Sequence, residues 1–476
     1  MHPSETAGRF WLPGAERQVD GRLDWAPKRL VLDLDDWLTP PLRSITSGEI
    51  PEGLNVGPEA FVSADDSVEP NKVTVHGRLH EQGSLEVTLV DTMIAHRNLT
   101  IPGFHNTERR TATYALVGGL VDGADAHFLA ARLRFRHLDA WARLLAGSLG
   151  AEQPIECIDL EQPGGRLTLR PVSAHTQVSG SHPTSVAAEL LWSANDDQGL
   201  TFQELWTQLV NPLRTLLTLA VDASSPPTEL HLQSTLDGDW LKFKVVDPDL
   251  ANVAEPLPGS PLLTRNDLDL GQVARWLAQF RTWSPVPSLV AAAVDKENAR
   301  PIELQVLDLA AGAEGLHRRL FDDQLTLSKQ RARDIRDRVV SALADDAEAQ
   351  TAVGQSLISL GEPTFRTRLE RLVERSGEAI PDVTGMAPNW IQRVKQARNG
   401  FAHLLLNKKG LTTEPLENYV LKLSLRWVLG SVLLLESGLS ADVLRARVAE
   451  HQPYQFLLQQ ARRWLAEVYQ PAENSG

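Results

Sequence analysis

The pattern of apolar and polar positions changes character near residue 265. Before it, short runs alternate apolar and polar side chains, the period of a half-buried strand. They are "LVLDLDDW", "KVTVHGRLH", "SLEVTLVD", "TATYALVGGLV", "FLAARLRFRHL", "RLTLRPVS", "SVAAELLWS", "TELHLQS" and "WLKFKVV". Gly, Pro, Asn and Asp punctuate them, as in an antiparallel sheet or sandwich. Two helices interrupt, over 138–147 and 201–221. Pro212 should kink or divide the second, because it lacks an N–H and crowds the preceding turn. The segment "DPDLANVAEPLPGSP" (247–261) has the composition of a linker.

Beyond residue 265 the apolar positions recur every three to four residues, from "DLGQVARWLAQFRTW" to "YQFLLQQARRWLAEVYQ". Pro301 suits a helix start and Gly377 and Gly438 suit helix ends. The expected fold class is α+β: a β-rich domain over 1–262, then an all-α bundle of six or seven helices over 263–476. The most apolar window, 419–439, contains Lys422, Arg426 and Glu436. Its longest uncharged run, Trp427 to Leu435, falls short of the ~20 residues of a membrane span. It reads as a buried helix, and no membrane partner is expected.

Composition narrows the chemistry. The N-terminus shows no basic region followed by an apolar core, so no signal peptide is read there. One cysteine, Cys157, excludes an intramolecular disulfide framework or a cysteine-rich metal site, and fits a reducing cytoplasm. Cys157 lies in the strand-like "IECIDL" and reads as a small core residue. The net charge of −14 repels nucleic acid at long range. One stretch departs from that balance: from Val383 to Thr413 there is no Asp or Glu, but there are Arg393, Lys395, Arg398, Lys408 and Lys409. No HExxH, cysteine pair, calcium loop, phosphate-cradling Gly-rich loop or GxSxG elbow occurs, so no metal site and no cofactor are expected.

Inside that basic stretch stands "RVKQARNGFAHLLL" (393–406), with Trp390, Val394, Ala397, Phe401 and Leu405 on one helical stripe. Arg398 and His403 are separated by four residues. The same spacing recurs at Arg132/His137 and Arg170/His175 in the β-rich half, where it reads as chance, and Arg445/His451 is a looser match. One reading makes His403 a helix-end residue bonded to a backbone carbonyl. The other makes the pair a metal-free RNA-cleaving site. A histidine can take a proton from a ribose 2′-OH or give one to the leaving 5′-oxygen. A guanidinium can hold phosphate oxygens as charge builds on them. Asn399 would orient the phosphate or the imidazole, and Lys395 and Arg393 would contact neighbouring phosphates. In a straight helix Arg398 and His403 diverge by about 140°, so a break at Asn399-Gly400 or a second copy of the chain is needed to bring two such groups together.

The "ARNGFAH" segment, late in a helical bundle, resembles the HEPN domain signature of Arg, a polar residue, and His after four to six positions. Arg398, Asn399 and His403 fit it. "GRFWLPG" (8–14), "DGRLDW" (20–25) and "ARLRFRHLDAWARL" (131–144) resemble the N-terminal domain of ApeA-type proteins. "EGLHRRLF" (314–321) and "FRTRLERL" (365–372) resemble helices of the ApeA-type HEPN domain. The resemblance implies a bacterial anti-phage protein of the abortive-infection kind. Its helical part would be a HEPN endoribonuclease that cuts RNA, tRNA among the candidates, as a homodimer through the HEPN domain. Its β-rich part would sense a phage trigger, a phage protein being one candidate. Two alternatives stay open: a non-catalytic HEPN module that binds RNA, a nucleotide or a protein, and a toxin–antitoxin component.

Overall fold

The computed structural model describes residues 5–25, 29–39, 72–80, 85–98, 106–143, 154–174, 185–235, 237–245, 257, 259–295, 300–321, 325–402 and 414–470. The linker-like segment 247–261 lies largely outside them. Every alternating run of the first half forms a strand, and all described pairings are antiparallel. The first seven strands are β1 (Glu5–Trp11), β2 (Val19–Asp24), β3 (Val31–Leu34), β4 (Val73–Leu79), β5 (Leu85–Asn98), β6 (Thr107–Thr111) and β7 (Tyr114–Val117). The remainder are β8 (His127–Phe128), β9 (Ala130–Phe135), β10 (Glu156–Asp159), β11 (Arg166–Ala174), β12 (Ser185–Ser193), β13 (Leu200–Thr201), β14 (Pro227–Gln233) and β15 (Leu241–Val245).

The sheet runs β10-β11-β12-β9-β14-β15-β7-β5-β4-β1-β2-β3-β6, and β6 pairs back onto β5. Strands β5-β4-β1-β2-β3-β6 therefore close into a barrel, and the other seven extend from it as an open sheet. The long strand β5 serves both. Its first half pairs with β7, and its second half, after Asp91, pairs with β6. Asp91 sits at φ 53, and the β4–β5 register shifts between Val73 and Val75. Such an irregularity bends a strand and so permits closure. The barrel encloses Phe10, Leu23, Leu32, Val75 and Leu89. At Gly77 a Cβ would stand 2.6 Å from the Phe10 ring, so only glycine fits against it.

The helices are α1 (Leu138–Ala142), α2 (Phe202–Leu205), α3 (Asn211–Val221), α4 (Leu270–Trp283), α5 (Val286–Val294), α6 (Ile302–Phe321), α7 (Lys329–Ser341) and α8 (Ala347–Ser356). They continue as α9 (Phe365–Gly377), α10 (Ala387–Ala402), α11 (Pro415–Glu436), α12 (Ala441–Glu450), α13 (Gln452–Trp464) and α14 (Ala466–Tyr469). The fold class is thus β-rich followed by all-α. The helix count exceeds six or seven, because α5 and α12 are short and α8 buries none of its residues. The 138–147 helix is shorter than its pattern suggested: α1 ends at Ala142, and Arg143 turns left-handed at φ 47. Pro212 does disturb its helix, as one π-helical turn (Trp206–Val210) between α2 and α3. Gly438, at φ 93, closes α11 as expected, whereas Gly377 is the last residue of α9. Cys157 is exposed rather than core, because β10 is the outermost strand of the open sheet.

Helix α11 contains most of the 419–439 window. It is long and apolar enough to cross a membrane, but 89% of its most apolar window is buried inside the fold. Helices α5, α6, α9, α10 and α13 pack around it. Helix α3, from the first half, also reaches it: Gly430 lies between Val290 of α5 and Leu219 of α3. One continuous apolar core therefore runs from the open sheet through α3 and α4 into the bundle.

A buried polar joint sits on this contact. Asp222, the left-handed C-cap of α3, is paired with Arg426 of α11 and accepts a 2.9 Å hydrogen bond from His451 Nε2. Their side chains are at most 10% exposed. Burial pushes the Asp222 carboxyl up, but Arg426 and the His451 hydrogen bond outweigh it and hold the group below its ordinary value. A depressed folded-state pKa means the stabilisation is present above the ordinary carboxylate value of ~3.9 and is lost as pH falls below it. Asp222→Ala, which strands Arg426 in the core, should cost about 3–5 kcal/mol in denaturant unfolding at pH 7. The gap to wild type should narrow as pH drops from 7 towards 3; a gap independent of pH would assign the loss to packing instead.

Candidate active site

Helix α10 carries most of the "RVKQARNGFAHLLL" segment. It buries Trp390, Ile391, Val394, Ala397 and Gly400 along one stripe. Trp390 is fully buried and donates from Nε1 to Ser424 Oγ of α11 at 2.8 Å. This anchor sets the rotation of α10 and hence the direction of its polar side. The helix runs unbroken through Asn399-Gly400 to Ala402, so the expected break at Gly400 does not occur. Gly400 is buried, and packing compensates the roughly 1 kcal/mol that glycine costs inside a helix. His403, Leu405, Lys408 and Lys409 lie outside the described residues.

Arg398 leaves α10 toward α6 and α9. Its Nη2 donates to Glu314 Oε2 of α6 at 3.3 Å, and its Nη1 to the Asn399 side-chain oxygen at 3.3 Å. Its guanidinium lies 5.0 Å from the centre of the Phe365 ring, at the start of α9. These contacts leave 36% of the side chain exposed. Arg398 and Asn399 are thus brought together directly. Lys395, one turn earlier, is exposed. Arg393 points away from this cluster and pairs with Glu467 of α14.

The cluster extends over three helices. Glu314 also accepts from Arg318 at 3.1 Å, four residues along the same helix. Arg318 reaches Glu362 at 3.2 Å, and the buried Arg368 donates to Glu362 at 3.1 Å and to the Pro363 carbonyl at 3.0 Å. Behind them the buried His317 packs on Phe321, tilted by 33° with ring centres 5.0 Å apart, with Arg371 Nη1 3.4 Å from its Nε2. The stretch without acidic residues is therefore not free of acids in space, because Glu314 and Glu467 meet it from distant parts of the chain. Glu314, Phe365 and Glu362 were not singled out from the sequence. Glu314 stands in the quoted "EGLHRRLF", but nothing local relates it to Arg398, 84 residues later.

Residues 307–443, from α6 into α12, match the family described as Apea-like HEPN. The matched segment contains Arg398, Asn399, Glu314 and Phe365, and agrees with the resemblance seen in "EGLHRRLF", "FRTRLERL" and "ARNGFAH". The β-rich half lies outside the match. No curated protein and no solved structure matches the chain.

The geometry separates support from chemistry. The Arg398–Glu314 pair is partly solvated, and such pairs contribute at most about 1 kcal/mol. Glu314→Gln should therefore shift unfolding free energy by less than that. Trp390→Ala, which empties a buried site, should cost about 3–5 kcal/mol. Denaturant melts of the two variants check the ordering.

Proposed function

We propose that the protein is a metal-independent HEPN endoribonuclease of anti-phage defence, acting in the cytoplasm as a homodimer through its helical part. The observation that carries this reading is Arg398. Within the Apea-like HEPN match, its guanidinium stays partly exposed while Glu314, Phe365 and Asn399 fix its position.

Phosphodiester cleavage follows from those groups. The ribose 2′-oxygen attacks phosphorus and the 5′-oxygen leaves, giving a 2′,3′-cyclic phosphate and a 5′-hydroxyl end. His403 takes the 2′-OH proton or protonates the leaving oxygen. Arg398 and Asn399 bind the non-bridging oxygens, where negative charge accumulates. An anionic phosphate competes with Glu314 for Arg398, so substrate exchanges one anion for another on a guanidinium that is already oriented. Lys395, exposed one turn away, and Arg393, once released from Glu467, hold adjoining phosphates. The continuous helix through Gly400 favours completion of the proton relay by His403 of a second copy. The β-rich half restrains this arrangement until an infection signal arrives.

His403→Ala and Arg398→Ala should each reduce RNA cleavage by at least about 10²-fold, the usual contribution of one general acid–base group. Wild-type activity should survive EDTA, since the sequence offers no recognisable metal motif. Sequencing of RNA ends after induction, with and without phage, reads both. Unchanged RNA loss in His403→Ala would overturn the nuclease. Loss of RNA binding in Arg398→Ala, with a wild type that never shortens RNA, would identify a non-catalytic binding module.

A further inference from the structure

The open sheet turns one face to the helices and the other away from them. On β9, Ala131, Leu133 and Phe135 enter the core, so Arg132 and Arg134 stand on the opposite face. Cross-strand register places Arg132 opposite His231 of β14, and His231 opposite Lys242 of β15. Side chains so paired stand about 4.5–5.5 Å apart, so Arg132 and Lys242 flank the His231 imidazole from either side. Beyond Arg132 the same row continues with Leu191 of β12.

The adjoining row is built differently. Arg170 of β11 faces Glu189 of β12, and Arg134 faces Glu229 of β14, with hydrogen bonds or ion pairs at 2.8 Å and 3.4 Å. There each cation has its acid; in the Arg132–His231–Lys242 row no acid occupies a strand position. Burial, then Arg170, lowers the Arg132 pKa against the pull of Glu189. Burial, then Lys242 and Arg132, lowers that of His231 against Glu229 and Glu189. The Arg132 Nε is buried and has no hydrogen-bond partner among the described residues. Aromatic surface borders the row: the Arg132 guanidinium lies 3.9 Å from the Trp240 ring centre, and Lys244, on the Lys242 face of β15, lies 5.1 Å from that of Trp25.

We infer that this face of the β-rich half is a binding platform for single-stranded nucleic acid. Its phosphates pair with Arg132 and Lys242, with the His231 imidazole between them, and its bases pack against Trp240 and Trp25. Two features select that ligand class. Cations whose own row holds no acid, one of them with a buried Nε unpartnered among the described residues, call for an anion, and indoles beside them suit the faces of bases, which stack on aromatics without sequence preference. An acidic peptide would satisfy the charges but offer no flat ring to the indoles. The platform stands on the strand registers and the indoles beside them and does not depend on RNA cleavage by the helical half.

The test uses the full chain carrying His403→Ala, so that a bound strand is not consumed, and a fluorescent 12-nucleotide oligouridine titrated over a range of salt. Adding Arg132→Gln and Lys242→Gln should weaken binding about ten-fold or more. It should also flatten the log–log salt slope by about 0.7 for each phosphate contact removed. Arg132→Lys should keep the slope, which separates lost charge from misfolding. Arg9→Gln with Arg78→Gln, on the barrel, should change neither quantity. The inference is overturned if the double variant binds like its parent, if Arg398→Ala alone abolishes binding, or if the parent fails to bind at low salt. It is equally overturned if polyglutamate or UTP displaces the strand at equal charge concentration, since the platform would then serve an acidic peptide or a mononucleotide.

Discussion

Helix α11 is apolar on every side, and a helix of that kind is stable in water only when other elements surround it. Of its residues, Val420, Leu425, Val428, Leu429, Val432 and Leu433 show no exposure, and on the remaining side of the axis Trp427 and Leu434 are at most 6% exposed. The burial requirement draws in α5, α6, α9, α10 and α13, and from the other half α3. The few polar groups on α11 then decide how each neighbour sits. Ser424 receives the Trp390 indole and fixes α10. Arg426 receives Asp222 and fixes the end of α3. With α10 set in this way, Arg398 has α6 and α9 before it, and Glu314 and Phe365 are the groups it meets.

Legibility in the sequence followed the range of the interactions. Alternation along "RLTLRPVS" or "TELHLQS" is a local consequence of one wet and one dry face, and both runs became strands. The Arg398-Asn399 contact lies between neighbours and could be read directly. Closure of the barrel could not, because it depends on β6 returning to the far half of β5 beyond a left-handed Asp91. Glu314 was equally hidden, since its relation to Arg398 exists only after α6 and α10 pack. Cys157 looked like core because "IECIDL" alternates as an inner strand does, and the edge position of β10 is set by which strands precede it in the sheet order. The local preference of Gly400 allows a break, whereas tertiary burial carries the helix through it.

The same strands that carry the cation row outward carry the core inward. Leu133 and Leu230 flank Arg132 and His231 in sequence and join the apolar core that includes Trp141, Leu213 and Val273. Backbone hydrogen bonds tie this region to the chain beyond it, from Leu263 to Ala220 at 2.7 Å and from Arg265 to Trp141 at 2.8 Å. Glu156 of β10 accepts from Leu270 at the start of α4, and Arg447 of α12 donates to Asp267. One apolar core thus lies between the outward face of β9, β14 and β15 and the helices of the bundle. Interiors of this kind are close-packed, and α3, which belongs to that core, ends at Asp222, the residue paired with Arg426 of α11. The helix that receives Asp222 is also the one whose Ser424 receives Trp390 of α10, so both halves of the chain take their positions from α11.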